Sequence, residues 1–283
     1  MSTYLNCYEL FSEVREAINE FTTAYVQGTD TTGAYRNADI FKKVNDAQEF
    51  IFESLLNRDP SLFYKSTALT GSSSLYTLPA DFYRLRRVED SAGRKLTRQT
   101  IDQRHQFLSE GSSFQYYPYG KSLTTGMPVI KLDKDGSSDI LTFYYVARCR
   151  KIHSGMSSAG GALSLTLEAP TARKEADYYN GMRIENVTDD WVDVISAYTA
   201  ARVATLAAQT GAASKYYGLI SELPEIFHSL IGPKAILLMK QAHKSLKPPT
   251  QQELKDFDEF MGEKFRAFFG TAETDVDMME LFL

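Results

Sequence analysis

The spacing of apolar residues changes twice along this chain of 283 residues, and those changes constrain its fold. Before Asp59 apolar residues recur every three or four positions, as on one side of an α-helix. Beyond Gly71 the period becomes two, which is typical of strands with one buried face. After Pro224 the helical spacing returns. The pattern therefore predicts helices at both ends and a β-rich middle.

Two helices are predicted before Asp59. The first covers residues 10–25, and the second begins with Asn37 as its N-cap. Gly- and Thr-rich residues 28–33 separate them, so we expect an antiparallel helical hairpin. The apolar residues that would meet are Phe11, Val14, Ile18, Phe21 and Tyr25 in the first helix and Ile40, Val44, Ala47, Ile51 and Leu55 in the second.

The last third of the chain predicts two more helices. The first covers residues 224–246, and we expect Gly232-Pro233 to break or kink it, because proline lacks an N–H donor. In the second, Thr250 and Glu253 have the spacing of a capping box, and Gly270 is the expected C-cap. Its apolar stripe consists of Leu254, Phe257, Met261, Phe265 and Phe268.

The middle of the chain predicts strands at residues 75–78, 85–89, 114–117, 129–132 and 140–146. Lys134-Asp135-Gly136 predicts a hairpin turn between the last two, since Asp-Gly tolerates positive φ. After a linker-like stretch at 154–161, a second β-rich region covers 162–208. Within that region, the spacing at 191–208 suits a helix and a hairpin equally well.

Composition excludes several classes of function. A net charge of -5 argues against a general nucleic-acid binder. No apolar run is long enough to span a membrane, and the first basic residue, Arg15, comes too late for a signal peptide. Cys7 and Cys149 lie far apart and predict two reduced thiols in a cytoplasmic product.

The polar residues do not assemble a recognisable catalytic set, so we predict no enzyme, no catalytic or metal-binding residues and no cofactor. The four histidines, His105, His153, His228 and His243, match no metal or nucleophile motif. Asp189-Asp190 could belong to a glycosidase pair, but adjacent acids on a turn favour a solvated hairpin tip. We expect His228 to bond to a neighbouring loop.

Two groups of residues suit binding as well as structure. Arg84, Arg86 and Arg87 are the densest basic cluster, and the sequence favours a solvated strand over a phosphate contact. Aromatic residues could form a stacking platform for a carbohydrate or nucleotide, but their positions favour core and interface roles. They are Tyr116, Tyr117, Tyr119, Tyr144, Tyr145, Tyr178, Tyr179 and Trp191.

One segment carries a family resemblance. In Tyr76-Thr77-Leu78-Pro79-Ala80-Asp81-Phe82-Tyr83-Arg84-Leu85, residues 76 and 78 form one face of a strand and the proline starts a turn. This segment resembles the signature of head-to-tail adaptor (connector) proteins of tailed bacteriophages. The N-terminal helices and residues 217–228 agree with that family in order. Residues 177–184 with 194–206 resemble a small β-module of phage virion proteins, which favours a hairpin at 191–208.

The resemblance and the spacing together predict an α+β fold. We expect a helical bundle from the N- and C-terminal helices with inserted β-rich modules. The predicted domains are 1–64 with 209–270 as the bundle, 65–150 as a β-rich module, 155–208 as a small β-module and 271–283 as a tail.

The resemblance implies a structural virion protein, made in the bacterial host cytoplasm and placed in the virion neck. It implies a homo-oligomeric ring of about twelve copies that joins the portal protein to a downstream tail or nozzle protein. Genomic DNA would pass through the bore without specific binding, and no membrane is involved. The alternatives are a tail terminator or stopper, which shares the β-rich core, and a cell-wall carbohydrate-binding or degrading protein.

The C-terminal tail is the predicted partner-binding segment. Acidic residues alternate there with apolar ones, and exposed apolar side chains are a liability unless something covers them. We expect this tail to bind the portal or a neighbouring subunit; the alternatives are a frayed end and a strand packed on its own domain. The predicted contact residues are Val276, Met278, Met279, Leu281, Phe282 and Leu283.

Overall fold

The computed structural model describes residues 5–18, 35–71, 74–99, 115–122, 127–132, 140–169 and 172–270. Within those residues it contains four α-helices and fourteen β-strands, which form three sheets. The described residues divide into two compact units. The first unit draws on Met1–Glu53, Lys151–Lys174 and Tyr179–Leu283, and the second on Ser54–Arg150 and Glu175–Tyr178.

The helices are α1 (Cys7–Ala17), α2 (Asn37–Arg58), α3 (His228–Ala242) and α4 (Gln251–Phe269). α1 begins three residues earlier than predicted because Asn6 and Glu9 form a capping box that the periodicity did not reveal. The five residues predicted to face inward from α2 are all fully buried, which confirms its orientation. The capping box of Thr250 and Glu253 and the C-cap Gly270 are confirmed for α4.

The first unit contains a seven-stranded antiparallel half-barrel. Its strands are β8 (Ser154–Met156), β9 (Ala159–Gly161), β10 (Ser164–Thr166), β11 (Arg183–Asn186), β12 (Trp191–Tyr198), β13 (Val203–Leu206) and β14 (Tyr216–Leu219). They are ordered β8-β14-β11-β12-β13-β10-β9. The pairing of β12 with β13 confirms a hairpin at 191–208 and excludes the helix there.

The second unit contains two sheets. One has the order β1-β7-β3, formed by Tyr64–Thr70, Ile140–Ala147 and Phe82–Glu89. The other has the order β2-β6-β5-β4, formed by Leu75–Thr77, Pro128–Leu132, Gln115–Lys121 and Thr97–Arg98. Both sheets contribute to one buried core, which includes Tyr76, Leu78, Val88, Ile130, Leu132, Leu141 and Phe143.

The hairpin predicted around Lys134-Asp135-Gly136 was wrong, because the two strands on either side of it do not pair with each other. The strands that flank it, β6 and β7, lie in different sheets. Residues 133–139 themselves lie outside the described residues. The Asp-Gly pair indicated a turn but not which strands would pair, because pairing depends on contacts between residues distant in sequence.

The predicted fold, a helical bundle with inserted β-rich modules, was wrong: the described residues are mostly β-rich. The main packing partner of α1 is not α2, the helix with which it was predicted to form a hairpin. α1 packs on α3, β14 and β8, and a Cβ atom at Gly218 of β14 would lie 2.5 Å from Asn6 Oδ1. An apolar stripe needs an apolar partner but does not specify a helix as that partner. The domain boundaries predicted from the sequence stay a prediction.

Of the two outcomes predicted at Gly232-Pro233, the break is excluded, because α3 continues through Pro233. The kink stays a prediction. A short 3-10 helix, Glu225–Phe227, precedes α3, and Pro224 stands just before it. Ile231, Gly232 and Ala235 around the proline are buried. Burial of this segment therefore outweighs the loss of one backbone hydrogen bond.

Candidate functional site

The sheet formed by β1, β7 and β3 has one face in the core and one face directed away from it. Phe143 of β7 and Val88 of β3 are paired in register and are both fully buried. One residue further along, Ser66, Tyr144 and Arg87 stand side by side across the three strands. Because side chains alternate along a strand, this second set lies on the opposite face.

Two irregularities in β3 expose consecutive arginines. The register between β3 and β7 shifts between Phe82 and Arg84 and again between Leu85 and Arg87. A regular strand would direct Arg86 and Arg87 to opposite faces, but a bulge interrupts the alternation. Both arginines are exposed as a result.

Aromatic and basic side chains surround a cavity of about 530 Å³ in this unit. We call it the basic-aromatic cavity, and its lining residues are Tyr64, Lys65, Ser66, Arg86, Arg87, Lys95, Tyr144 and Tyr145. The Arg86 guanidinium lies 5.1 Å from the centre of the Tyr64 ring, and that of Arg87 lies 4.1 Å from the Tyr144 ring. These contacts hold both guanidinium groups against aromatic faces.

The basic-aromatic cavity is only moderately positive. Its lining contains four cationic side chains. Two of them have a carboxylate nearby, since Arg87 Nε lies 3.1 Å from Glu89 and Lys65 Nζ lies 2.7 Å from Asp81. Four cations against these two carboxylates leave a net of two positive charges.

A tight turn after β3 delivers Lys95 to the cavity. The Asp90 carboxylate accepts hydrogen bonds from the backbone N–H groups of Ala92 (2.9 Å) and Arg94 (2.8 Å). These bonds hold the pKa of Asp90 below its ordinary value, and the bond from the Arg94 N–H has the largest effect. The turn places Lys95 opposite Glu89 in an isolated bridge.

The segment that carries the family resemblance forms a buried clamp beside the cavity. Tyr76 and Leu78 are buried, and Phe82 N donates to Pro79 O at 3.1 Å, which confirms the predicted strand and turn. Asp81, 8% exposed, accepts from Lys65 Nζ of β1 at 2.7 Å and from the Tyr145 hydroxyl of β7 at 3.0 Å. This role of the aspartate was not foreseen from the sequence.

Sequence reasoning found only part of this site. It singled out the arginines and Tyr144, but β1 was not predicted, so Tyr64 and Lys65 were missed. Tyr64, Thr67 and Thr70 are aromatic or β-branched residues, which favour strands, and they are the signal that could have found this strand. The structure also confirms core roles for four of the candidate stacking residues, because Tyr116, Tyr117, Tyr145 and Tyr179 are buried.

His153 belongs to a buried network in the first unit. The hydroxyl of Tyr217 accepts from Glu168 N at 2.8 Å and lies 3.0 Å from His153 Nδ1. The tautomer of His153 decides whether the hydroxyl or Nδ1 donates in this contact. Burial, together with the charge of Arg202, lowers the pKa of His153 to about 3, so the ring is neutral and structural at neutral pH.

His228 also serves a structural role. His228 Nε2 lies 2.9 Å from the carbonyl oxygen of Leu223, which confirms the predicted bond to a neighbouring loop. Burial lowers the pKa of His228 more than this bond raises it. His105 lies outside the described residues. Cys7 and Cys149 are buried and form no disulfide.

Asp189 and Asp190 form the tip of the β11–β12 hairpin, as predicted. The Asn186 side chain accepts from the N–H of Asp189 at 3.0 Å, and its amide donates to the Asp189 carboxylate at 3.1 Å. Lys215 Nζ lies 2.6 Å from the same carboxylate. Asp190 has a φ of 52°, in the left-handed region. These contacts fix the conformation of the turn.

Two further kinds of feature are absent from the described part of the chain. There, no three histidine, cysteine, aspartate or glutamate side chains converge as a metal site requires. None of the helices there is long and apolar enough to cross a bilayer. The predicted contact residues of the tail, from Val276 to Leu283, lie outside the described residues.

Comparison of the chain with models of known protein families, and with curated proteins, finds no match.

Proposed function

We propose that this chain is a structural virion protein, a head-to-tail adaptor that assembles as a ring between the portal and the tail of a bacteriophage. The observation that carries the proposal is the Asp81 clamp. The segment that resembles the adaptor signature joins β1 and β7 through one buried carboxylate. Asp81, the acidic residue of the motif, therefore stabilises the fold, as we expect of a residue in an assembly protein.

The electrostatics of the second unit are consistent with a channel that DNA crosses without being held. Each phosphate that a protein neutralises adds to DNA affinity, and specific binders make about six to ten such contacts. The basic-aromatic cavity offers a net of two positive charges. A net of two positive charges is too small to hold a duplex, so DNA could pass this unit without being bound.

The proposal is tested by mixing the purified full-length chain with portal-bearing particles and imaging the portal vertex by cryo-electron microscopy. We expect a closed ring of about twelve copies beneath the portal. A version truncated after Gly270 is the matched sample, and we expect it to lose or weaken binding. Particles that stay bare with the full-length chain would overturn the proposal.

One observation favours a second candidate, a tail terminator or stopper. Such a protein would share the β-rich core, and the half-barrel dominates the first unit. The same imaging separates the two, because a terminator would bind the end of purified tails and leave the portal vertex bare. Binding to portal particles and not to tails supports the adaptor.

A further inference from the structure

The basic-aromatic cavity fits a ligand that combines carboxylates with apolar side chains. Its volume of about 530 Å³ is in the range that accommodates one or two large side chains. The rings of Tyr64 and Tyr144 offer apolar surface, and Arg86 and Arg87 lie against those rings with exposed guanidinium groups. An apolar group on the rings would therefore sit beside donors that suit a carboxylate.

The chain itself contains a segment of that chemistry. Residues 271–283 carry four acids, Glu273, Asp275, Asp277 and Glu280, and no lysine or arginine. The apolar residues at 276, 278, 279 and 281–283 stand among them. In an extended conformation, alternate residues point to the same side about 7 Å apart. The carboxylates at 273, 275 and 277 would then form one row.

We propose that the basic-aromatic cavity binds the C-terminal segment 271–283 of a second copy of this chain. Arg86, Arg87 and Lys95 receive the row of carboxylates, and an apolar side chain of the segment fills the space over Tyr64 and Tyr144. The proposal rests on the ring assembly proposed above, which supplies the second copy. Of the two partners expected for the tail, the portal and a neighbouring subunit, it commits to the neighbouring subunit.

Charge decides between this peptide and DNA. The segment brings four negative charges to a cavity with a net of two positive charges, so the cavity compensates half of the charge of the segment on binding. Duplex DNA brings a charge every 1.7 Å or so along its axis, which the cavity cannot match. Phosphates also lack the apolar groups that the two tyrosine rings would bury.

The experiment titrates a fluorescent synthetic peptide of residues 271–283 with full-length protein and measures fluorescence anisotropy. We expect saturable binding that the double variant Arg86→Glu, Arg87→Glu weakens by about tenfold or more. The double variant Lys174→Glu, Lys255→Glu is the matched control. It makes the same change in net charge at exposed positions of the other unit, and should bind like wild type.

A charge swap distinguishes direct contact from a general effect of charge or misfolding. A peptide with Asp275→Lys and Asp277→Lys should bind wild type weakly and recover affinity for the Arg86→Glu, Arg87→Glu variant. Three results would overturn the proposal. They are no saturable binding, equal loss in both double variants, and displacement of the peptide by a short DNA duplex at lower concentration than by unlabelled peptide.

This test does not involve the portal, so the two proposals can fail separately. A chain that binds the peptide as expected but forms no ring on portal particles refutes the adaptor alone. A ring on the portal without peptide binding refutes the tail contact alone.

Discussion

The carbonyl oxygen of Ser164 lies directly against Gly211, and a Cβ atom at position 211 would come 1.8 Å from that oxygen. The same loop approaches β9, where a Cβ at Gly160 would lie 2.3 Å from the backbone nitrogen of Ala212. Both obstacles are backbone atoms, which cannot rotate aside. The edge of the half-barrel is therefore closed by a loop that tolerates no side chain at the contact.

We predict that Gly211→Ala destabilises the protein by about 2–3 kcal/mol, the cost of overpacking a site that must move backbone. The matched control is Gly161→Ala in the same region. Its Cβ would lie 3.2 Å from Ser164 Oγ, a side-chain atom that can rotate, so we expect less than about 0.5 kcal/mol. Urea unfolding followed by Trp191 fluorescence measures both. Equal effects would contradict the close approach.

We predict that Asp81→Asn destabilises the second unit by about 1.5–3 kcal/mol, because a charge-assisted hydrogen bond to Lys65 is lost. Tyr145→Phe, which removes one neutral donor to the same carboxylate, should cost about 1 kcal/mol. Tyr119→Phe alters an exposed ring and should cost nothing measurable. Chemical denaturation followed by circular dichroism gives the three values, and similar results for all three would refute the clamp.

The buried neutral His153 predicts a loss of stability in acid. Its pKa is about 3 in the folded chain against an ordinary value of 6.5, so between those pH values only the unfolded chain binds the proton. The contribution is complete above pH 6.5 and falls by about 1.4 kcal/mol per pH unit as the pH decreases towards 3. His153→Asn keeps a neutral acceptor but cannot titrate, so its unfolding free energy should change less between pH 7 and pH 4. An unchanged slope would contradict the neutral state.

Glu253 predicts acid sensitivity at the start of α4. Its hydrogen bond from Lys240, followed by that from Thr250 N–H, lowers its pKa from 4.5 to about 2. Its stabilising effect is therefore complete above pH 4.5 and is lost as the pH falls to 2. Glu253→Gln should lower the melting temperature at pH 7, with the difference shrinking below pH 4. Glu259→Gln, in an exposed pair with Lys255, is the control and should change little.

Local signals in the sequence predicted local structure well. The capping box at Thr250, the inward face of α2 and the turn after Leu78 each depend on residues within a few positions, and each is confirmed. The capping box at Asn6 was present in the sequence too, and Glu9 three positions later was the signal that could have revealed it.

Partners distant in sequence explain what was missed. The sequence around Gly218 contains no signal that the start of α1 packs on it. This contact between α1 and β14 is one reason why the prediction of a helical bundle was wrong. The basic-aromatic cavity was also missed because it is formed by residues distant in sequence. Tyr64, Arg87 and Tyr144 are brought together by strand register, and the bulges that expose both arginines leave no clear mark in the residue types.

Because of its bulges, β3 contains more residues than the part of β7 that it pairs with, and the extra residues contribute to the surface of the cavity. Eight residues of β3, Phe82–Glu89, face six of β7. Deleting the surplus residue Arg86 would restore regular pairing and leave Arg87, Val88 and Glu89 opposite their present partners on β7, but it would remove one of the two arginines from the cavity. A one-residue deletion at this bulge would therefore lower the positive charge of the cavity while the buried face of the sheet stays in register.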